Sequence, residues 1–438
     1  MLGTVPDQHA EAWAAGISRI CAGINEHRQD VDTTALDRLL KALLILPQLL
    51  LRGSTRGGRR LITKTRKRFA LLQAHDFRAL VEEWEDDRRL HLSHARRQPR
   101  PSQEEVKRIK AAIRLFEEGA ISRGIRRLDS NGLADMSNDA ILEQMRDKHP
   151  RRNEDMLPLE ELRQPTEELY LRLKDVLSNL DVTAGAGSDG CHNRYLKILA
   201  TRAYEGTYSK MVIANLSAVA SNLVNGRLPR WYSCAVGTGN LFGPIKTPGT
   251  NDARPCSAPF ALTRAIERAT AQSTQAEVAR TVLPEQLGGP HPSGMHQLVL
   301  GIDLDLAAHP EYDLVVFIDV KNAHNAFTRR SAQRAMDASG SDAIAQLNRA
   351  FTTLNTGEAP LCARADGGWM EVTTSSEGGK QGSPLTGPAF RMAQNPTLKS
   401  TSELLLDGNG RLNGHAKAFE DDICLYGCAS PVLRPSTS

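Results

Sequence analysis

Cysteine is scarce and poorly spaced for a framework. The 438 residues hold seven, at positions Cys21, Cys191, Cys234, Cys256, Cys362, Cys424 and Cys428, with no Cys-x-x-Cys among them. A disulfide scaffold and a zinc knuckle are not expected, and a reducing, intracellular compartment fits better. Aromatic residues are few, and acid and base nearly cancel at a formal net charge of +4. So small a surplus does not argue for a nucleic-acid partner; only the placement of charge can. No charged segment followed by an apolar one opens the chain, so a secretory signal is not expected. Long apolar runs are missing too. The longest, Leu43 to Leu51, contains Pro47 and falls far short of the roughly 20 residues of a membrane span. What remains is the composition of an ordinary globular protein, long enough for about two or three domains.

The N-terminal part reads as helix. Over residues 8–51, Leu36, Leu39, Leu40, Leu43 and Leu44 recur three and four apart. A basic stretch follows, with Arg52, Arg56, Arg59, Arg60, Lys64, Arg66, Lys67 and Arg68 and no acid until Asp76. A second cluster holds Arg88, Arg89, Arg96, Arg97 and Arg100. These read either as a phosphate-backbone surface, centred on Arg59, Arg60, Lys64, Arg66, Lys67 and Arg68, or as a solvated face. From Glu104 a helix carries Val106, Ile109, Ile113 and Phe116 on one side. Another is expected over Asp139–Met145, a linker from Pro158 to Pro165, and a further helix from Glu167 to Leu180. The string Gly185-Ala-Gly187-Ser-Asp-Gly190 matches G-x-G-x-x-G formally, but no buried strand precedes it. A glycine-rich turn into a helix over Asn193–Leu199 is the better reading.

From Val236 short strands take over. Leu241 to Lys246, a turn from Thr247 to Asp252, and the return through Arg254-Pro255 predict a hairpin with Lys246 and Arg254 near its tip. Two cations so placed suit a polyphosphate. Leu314 to Ile318 is a continuous apolar run, expected as a buried central strand that ends in Asp319. A carboxylate there is a metal ligand or a helix cap. Farther on, Phe419-Glu420-Asp421-Asp422-Ile423 sets three acids between apolar flanks. Adjacent carboxylates repel, and a divalent cation between them relieves that. A hairpin would bring Asp421 and Asp422 to its tip. Two carboxylate clusters on neighbouring strands are what a two-metal phosphoryl-transfer centre requires. Between them lies Gly378-Gly-Lys-Gln381-Gly382-Ser-Pro384-Leu385, whose glycines allow close backbone approach to a ligand.

In this order the segments resemble the reverse transcriptase of non-LTR, LINE-type retrotransposons. Asp319 and Ala323 match its first carboxylate motif. Gln381, Gly382, Pro384 and Leu385 match its Gln-Gly-x-Pro-Leu string, and Phe419, Asp421 and Asp422 its aromatic-x-Asp-Asp hairpin. Lys246, Arg254 and Pro255, the turn Ser188–Gly190, and Gln286 with Gly288 match shorter elements, and the resemblance covers roughly residues 180–427. It implies an α+β, right-hand polymerase fold: a basic helical N-terminal region over 1–101, a helical linker region over 102–180, fingers over 181–300 and a palm over 301–438. The implied activity is RNA-templated DNA synthesis, with an RNA template, a DNA primer or target, and dNTPs as partners. Asp319, Asp421 and Asp422 would hold two Mg²⁺ ions, Mn²⁺ being the alternative. Lys246, Arg254, Val320, His324, Gln381 and Gly382 would bind the nucleotide.

Three departures stand out. His324 replaces the aromatic residue that excludes ribose. Glu420 replaces a small or apolar residue, and is expected to repel phosphate or divert metal. Only eleven residues follow Gly427, too few for the next palm element and the thumb. The expectation is therefore a fragment or a degenerate copy with weak processive synthesis. The competing readings are an inert nucleic-acid-binding remnant and a viral RNA-dependent RNA polymerase.

Overall fold

A computed structural model describes residues 4–52, 59–92, 101–117, 119–201, 207–247, 249–289, 293–355, 357, 359–365, 368–406 and 412–429. The architecture is α+β, with helices around two small sheets. The N-terminal helices Ala10–His27 and Thr34–Leu51 form because apolar residues recur at helical spacing. Trp13, Ile17, Ile20 and Ile24 are buried on the first, and Leu36, Leu40, Leu43, Leu46 and Leu50 on the second. They belong to one large apolar core that extends through helices Thr207–Val224, Ala261–Val282 and Asp342–Asn355 to Met392. Helix Asp139–Asp147 begins where the Asn138 side chain accepts a hydrogen bond from Ala140 N. No helix among the described residues is long and apolar enough to cross a membrane.

Seven strands are described: β1 (Gly239–Phe242), β2 (Cys256–Pro259), β3 (Leu314–Asp319), β4 (Ala359–Ala365), β5 (Gly368–Ser375), β6 (Gly414–Phe419) and β7 (Asp422–Gly427). The first sheet runs β2-β1-β4-β5 and the second β3-β7-β6. In the second, β7 pairs antiparallel with both neighbours, from Leu314↔Gly427 to Asp319↔Asp422 on one side and from Gly414↔Gly427 to Phe419↔Asp422 on the other. Helix Gly294–Ala308 sends Leu298 and Ile302 into the core of Cys424 and Tyr426. Helix Thr386–Leu404 packs against β6, where Ala416 and Ala418 are fully buried.

Three sequence expectations need correction. First, β3 is not a buried central strand. Among the described residues it is the edge of its sheet, and Phe317 is 75% exposed. An apolar run fixes strand character but not the number of neighbours. Second, the helix expected over Glu167–Leu180 is confined to Leu173–Ser178. The preceding segment is extended because a helix face satisfies its backbone. Asn225 Oδ1 accepts from Leu169 N (3.2 Å), Ser221 Oγ from Leu171 N (2.9 Å) and Ser217 Oγ from Leu173 N (3.2 Å). These acceptors stand four apart on one side of their helix. Third, three members of the first basic cluster, Lys64, Lys67 and Arg68, are paired with acids within the fold. Helix Arg59–Gln73 lies beside Phe77–Leu92, where Asp87 takes both Lys64 and Arg68 and Glu83 takes Lys67 at 2.6 Å. Arg68 is 1% exposed and cannot meet a phosphate backbone. The helix expected from Glu104 is present as Pro101–Glu117, with Val106, Ile109 and Ile113 exposed. Arg66 is exposed. The side chains of Arg59, Arg60, Arg88 and Arg89, and residues Arg56, Arg96, Arg97 and Arg100, lie outside the described residues.

Ser221→Ala strands the buried Leu171 N–H. Urea denaturation should show a loss of about 1–3 kcal/mol. An unchanged midpoint would mean that the extended segment does not depend on that helix.

Candidate active site

The Asp319 carboxylate stands at the end of β3, and antiparallel register puts it opposite Asp422, the first residue of β7. Directly opposed Cα atoms in such a pair are about 4.5–5.5 Å apart, and their side chains leave the same face. Glu420 and Asp421 form the turn that joins β6 to β7. Asp319 and Asp422 thus stand opposite each other at one end of a sheet, with Asp421 in the adjoining turn. Among the described residues, none of the Asp319, Asp421 and Asp422 carboxylates has a hydrogen-bond or ion-pair partner, and no group of three His, Cys, Asp or Glu is gathered closely enough to hold a metal ion. The donor chemistry suits a hard divalent cation, while the side chains are not drawn in around one.

Glu420 behaves differently. It adopts φ +55°, a left-handed conformation unusual for a residue with a Cβ. The fully buried Gln286 side chain clamps it there. Gln286 Oε1 accepts from Glu420 N (2.9 Å) and Gly288 N (2.8 Å), while its Nε2 donates to Glu420 O (3.0 Å). The neighbouring backbone pairs as well, with Leu287 N donating to Ala418 O and Ala418 N to Glu285 O. Gly288 has no room for a side chain, since a Cβ there would lie 2.4 Å from Glu420 N. The Glu420 carboxylate turns toward Arg391, whose Nη1 donates to Oε1 at 2.6 Å. The expected third repulsive carboxylate is therefore paired with a nearly buried cation.

Beyond Asp319 the chain runs through half-buried Val320 to Asn322 at φ +56°, whose Nδ2 donates to Lys148 O at 2.6 Å. The short helix Ala323–Ala326 carries His324, which packs against Phe390 with ring centroids 5.0 Å apart. This segment is stitched to the loop before Gln381. Gly379 N donates to His324 O (2.8 Å) and Gly378 N to Phe327 O (2.9 Å). Arg329, with no solvent exposure, completes the seam. Its Nε donates to Gly378 O, its Nη1 to Asn355 O, and its Nη2 to the carbonyl and hydroxyl of Ser375, while its backbone N donates to Glu377 Oε2. Lys380, also buried, donates to Gly237 O.

Gln381 O accepts from Ser257 N at 2.8 Å, joining the loop to β2. Gly382, at φ +124°, fits only as glycine, because a Cβ would lie 2.3 Å from Ser257 O. The hairpin of β1 and β2 extends through the Ile245↔Ala253 bridge and leaves Lys246 and Arg254 exposed near its tip. Between them, the Lys148 ammonium bonded to Asp252 holds that carboxyl below its usual range, with Lys246 and Arg254 adding to the effect. The turn Ser188–Gly190 sits against the end of β2, where a Cβ on Gly187 would meet Pro259 O and Phe260 Cα. Burial pushes Asp189 up to about 7, opposed by the hydrogen bond from Cys191 N.

Continuous backbone contacts therefore link Arg254, Gln381, His324 and Asp319. Arg391, Arg329, Glu377 and the clamp role of Gln286 escaped the sequence reading. A lone arginine in the apolar string Pro388-Ala-Phe-Arg391-Met was the available signal for the first. No family model matches the chain, and no curated protein matches it.

Two outcomes follow. Gly288→Ala should displace the Glu420 turn and lower the melting temperature, whereas Gly185→Ala, with open space around it, should not; equal melting curves would refute the clamp. Asp189 favours its protonated form in the fold. Its contribution to stability is thus full below its unfolded pKa, near 4, and is lost as pH rises to about 7. Asp189→Asn should raise the melting temperature by several degrees at pH 8 and leave it unchanged at pH 4.

Proposed function

We propose that this chain is the fingers and palm of a reverse transcriptase of the non-LTR, LINE type, and that it extends a DNA primer on an RNA template. One observation carries the reading: the β3–β7 register sets Asp319 opposite Asp422, although about a hundred residues separate them in the chain. A right-hand polymerase needs this pairing, and a solvated acidic turn does not.

In this reading Asp319, Asp421 and Asp422 hold Mg²⁺, which supplies charge neutralisation at the transferring phosphoryl group. The protein's own part is positioning. Lys246 and Arg254, exposed and close together on the hairpin, receive the β and γ phosphates of a dNTP. Gln381 and Gly382 line the pocket for base and template, and their attachment to β2 keeps them beside the phosphate-binding cations. His324 borders the sugar, with Val320 between it and the carboxylates. Arg391 removes the excess charge of Glu420 from the place where the primer terminus has to lie.

The test is single-nucleotide primer extension on an RNA template with Mg²⁺ and dNTPs. Addition should occur with the wild-type chain and fall at least about 100-fold with Asp421→Asn, in line with the loss of a ligand that acts mainly in the transition state. Nucleic-acid binding without metal-dependent addition, unchanged by Asp421→Asn, would instead favour the inert remnant.

A further inference from the structure

Glu420 Oε1 is taken by Arg391, but Oε2 is buried and has no hydrogen-bond partner. A buried carboxylate oxygen without a donor is costly. The ring nitrogen His324 Nε2 lies 3.9 Å from it. Contraction by about 1 Å would complete a normal hydrogen bond. The imidazole also packs against Phe390, with ring centroids 5.0 Å apart. The ring thus has an aromatic neighbour and an acceptor that lacks a donor, and Arg391 and the Gln286 clamp fix that acceptor in place.

We propose that Glu420 is the positioning residue for His324, tethering its imidazole as the barrier that decides which nucleotide sugar enters. The inference rests on the polymerase reading above and extends it to sugar selection. Imidazole is smaller than the aromatic side chains that form such barriers in the resembling family. Its terminal torsion is broad, so an untethered ring samples orientations that leave space beside the sugar. A bond from Nε2–H to Glu420 Oε2 fixes both the ring plane and the tautomer. This gives the two departures from the family pattern, His324 and Glu420, a joint explanation: each compensates for the other.

The experiment compares single additions of dNTP and rNTP. The wild-type chain should prefer dNTP. Glu420→Ala should reduce that preference at least about tenfold, by the same factor as His324→Ala, and the double variant should lose no more than either. Glu420→Gln should retain the preference, since its amide accepts from Arg391 and donates to the imidazole in its other tautomer. A merely structural role for Glu420 would lower both additions in parallel; an unchanged ratio in Glu420→Ala therefore overturns the proposal. The tether is also read without turnover. Long-range ¹H–¹⁵N spectra of histidine-labelled protein should show His324 as one Nε2–H tautomer in the wild type and as a tautomer mixture in Glu420→Ala. A tautomer mixture in the wild type refutes the tether. A single tautomer in a chain that adds neither nucleotide refutes the polymerase reading, and the barrier role falls with it.

Discussion

A guanidinium with no access to water sets the geometry of the candidate site. Burying a charge is tolerable only when its donors are engaged. Arg329 meets that condition by gathering carbonyls from the end of β5, from the end of helix Asp342–Asn355 and from Gly378. The loop leading to Gln381 is thereby held beside the segment that follows Asp319. The Gly378 and Gly379 amides then find the carbonyls of Phe327 and His324. A chain that failed to bury this one side chain would lose the alignment of its two most chemically suggestive segments.

Electrostatics divides four neighbouring acids into two kinds. Glu420 is compensated by Arg391, and the amide groups of Gln286 hold its backbone. Asp319, Asp421 and Asp422 receive nothing comparable among the described residues. Mutual repulsion left in place within a folded site is a cost that a ligand cation can offset. In sequence Glu420, Asp421 and Asp422 are adjacent; the turn conformation turns Glu420 alone to Arg391.

Legibility followed locality. The hairpins around Lys246 and around Asp421 were readable because turn residues and alternating apolar positions lie within a few residues of each other. The β3 strand was readable for the same reason, but its place in the sheet was not, since strand order is a long-range property. The pairing of Lys64, Lys67 and Arg68 was hidden for a related reason. Their compensating acids, Glu83 and Asp87, come from the next helix rather than from the stretch itself. The extended segment at Leu169–Leu173 mimicked a helix because the groups that satisfy its backbone, Ser217, Ser221 and Asn225, stand about fifty residues away. The contact between Glu420 and His324 lay beyond sequence reading too, although each residue was conspicuous alone.

The two borders of the small sheet differ in a way that bears on behaviour in solution. The outer side of β6 is closed by the backbone of Glu285 and Leu287. Among the described residues, the opposite border along β3 has no neighbouring strand, and Phe317 beside it is exposed. Such a border is a template onto which any extended peptide can add. Crowding would therefore favour the recruitment of an extended strand along this flank, in the plane of the sheet.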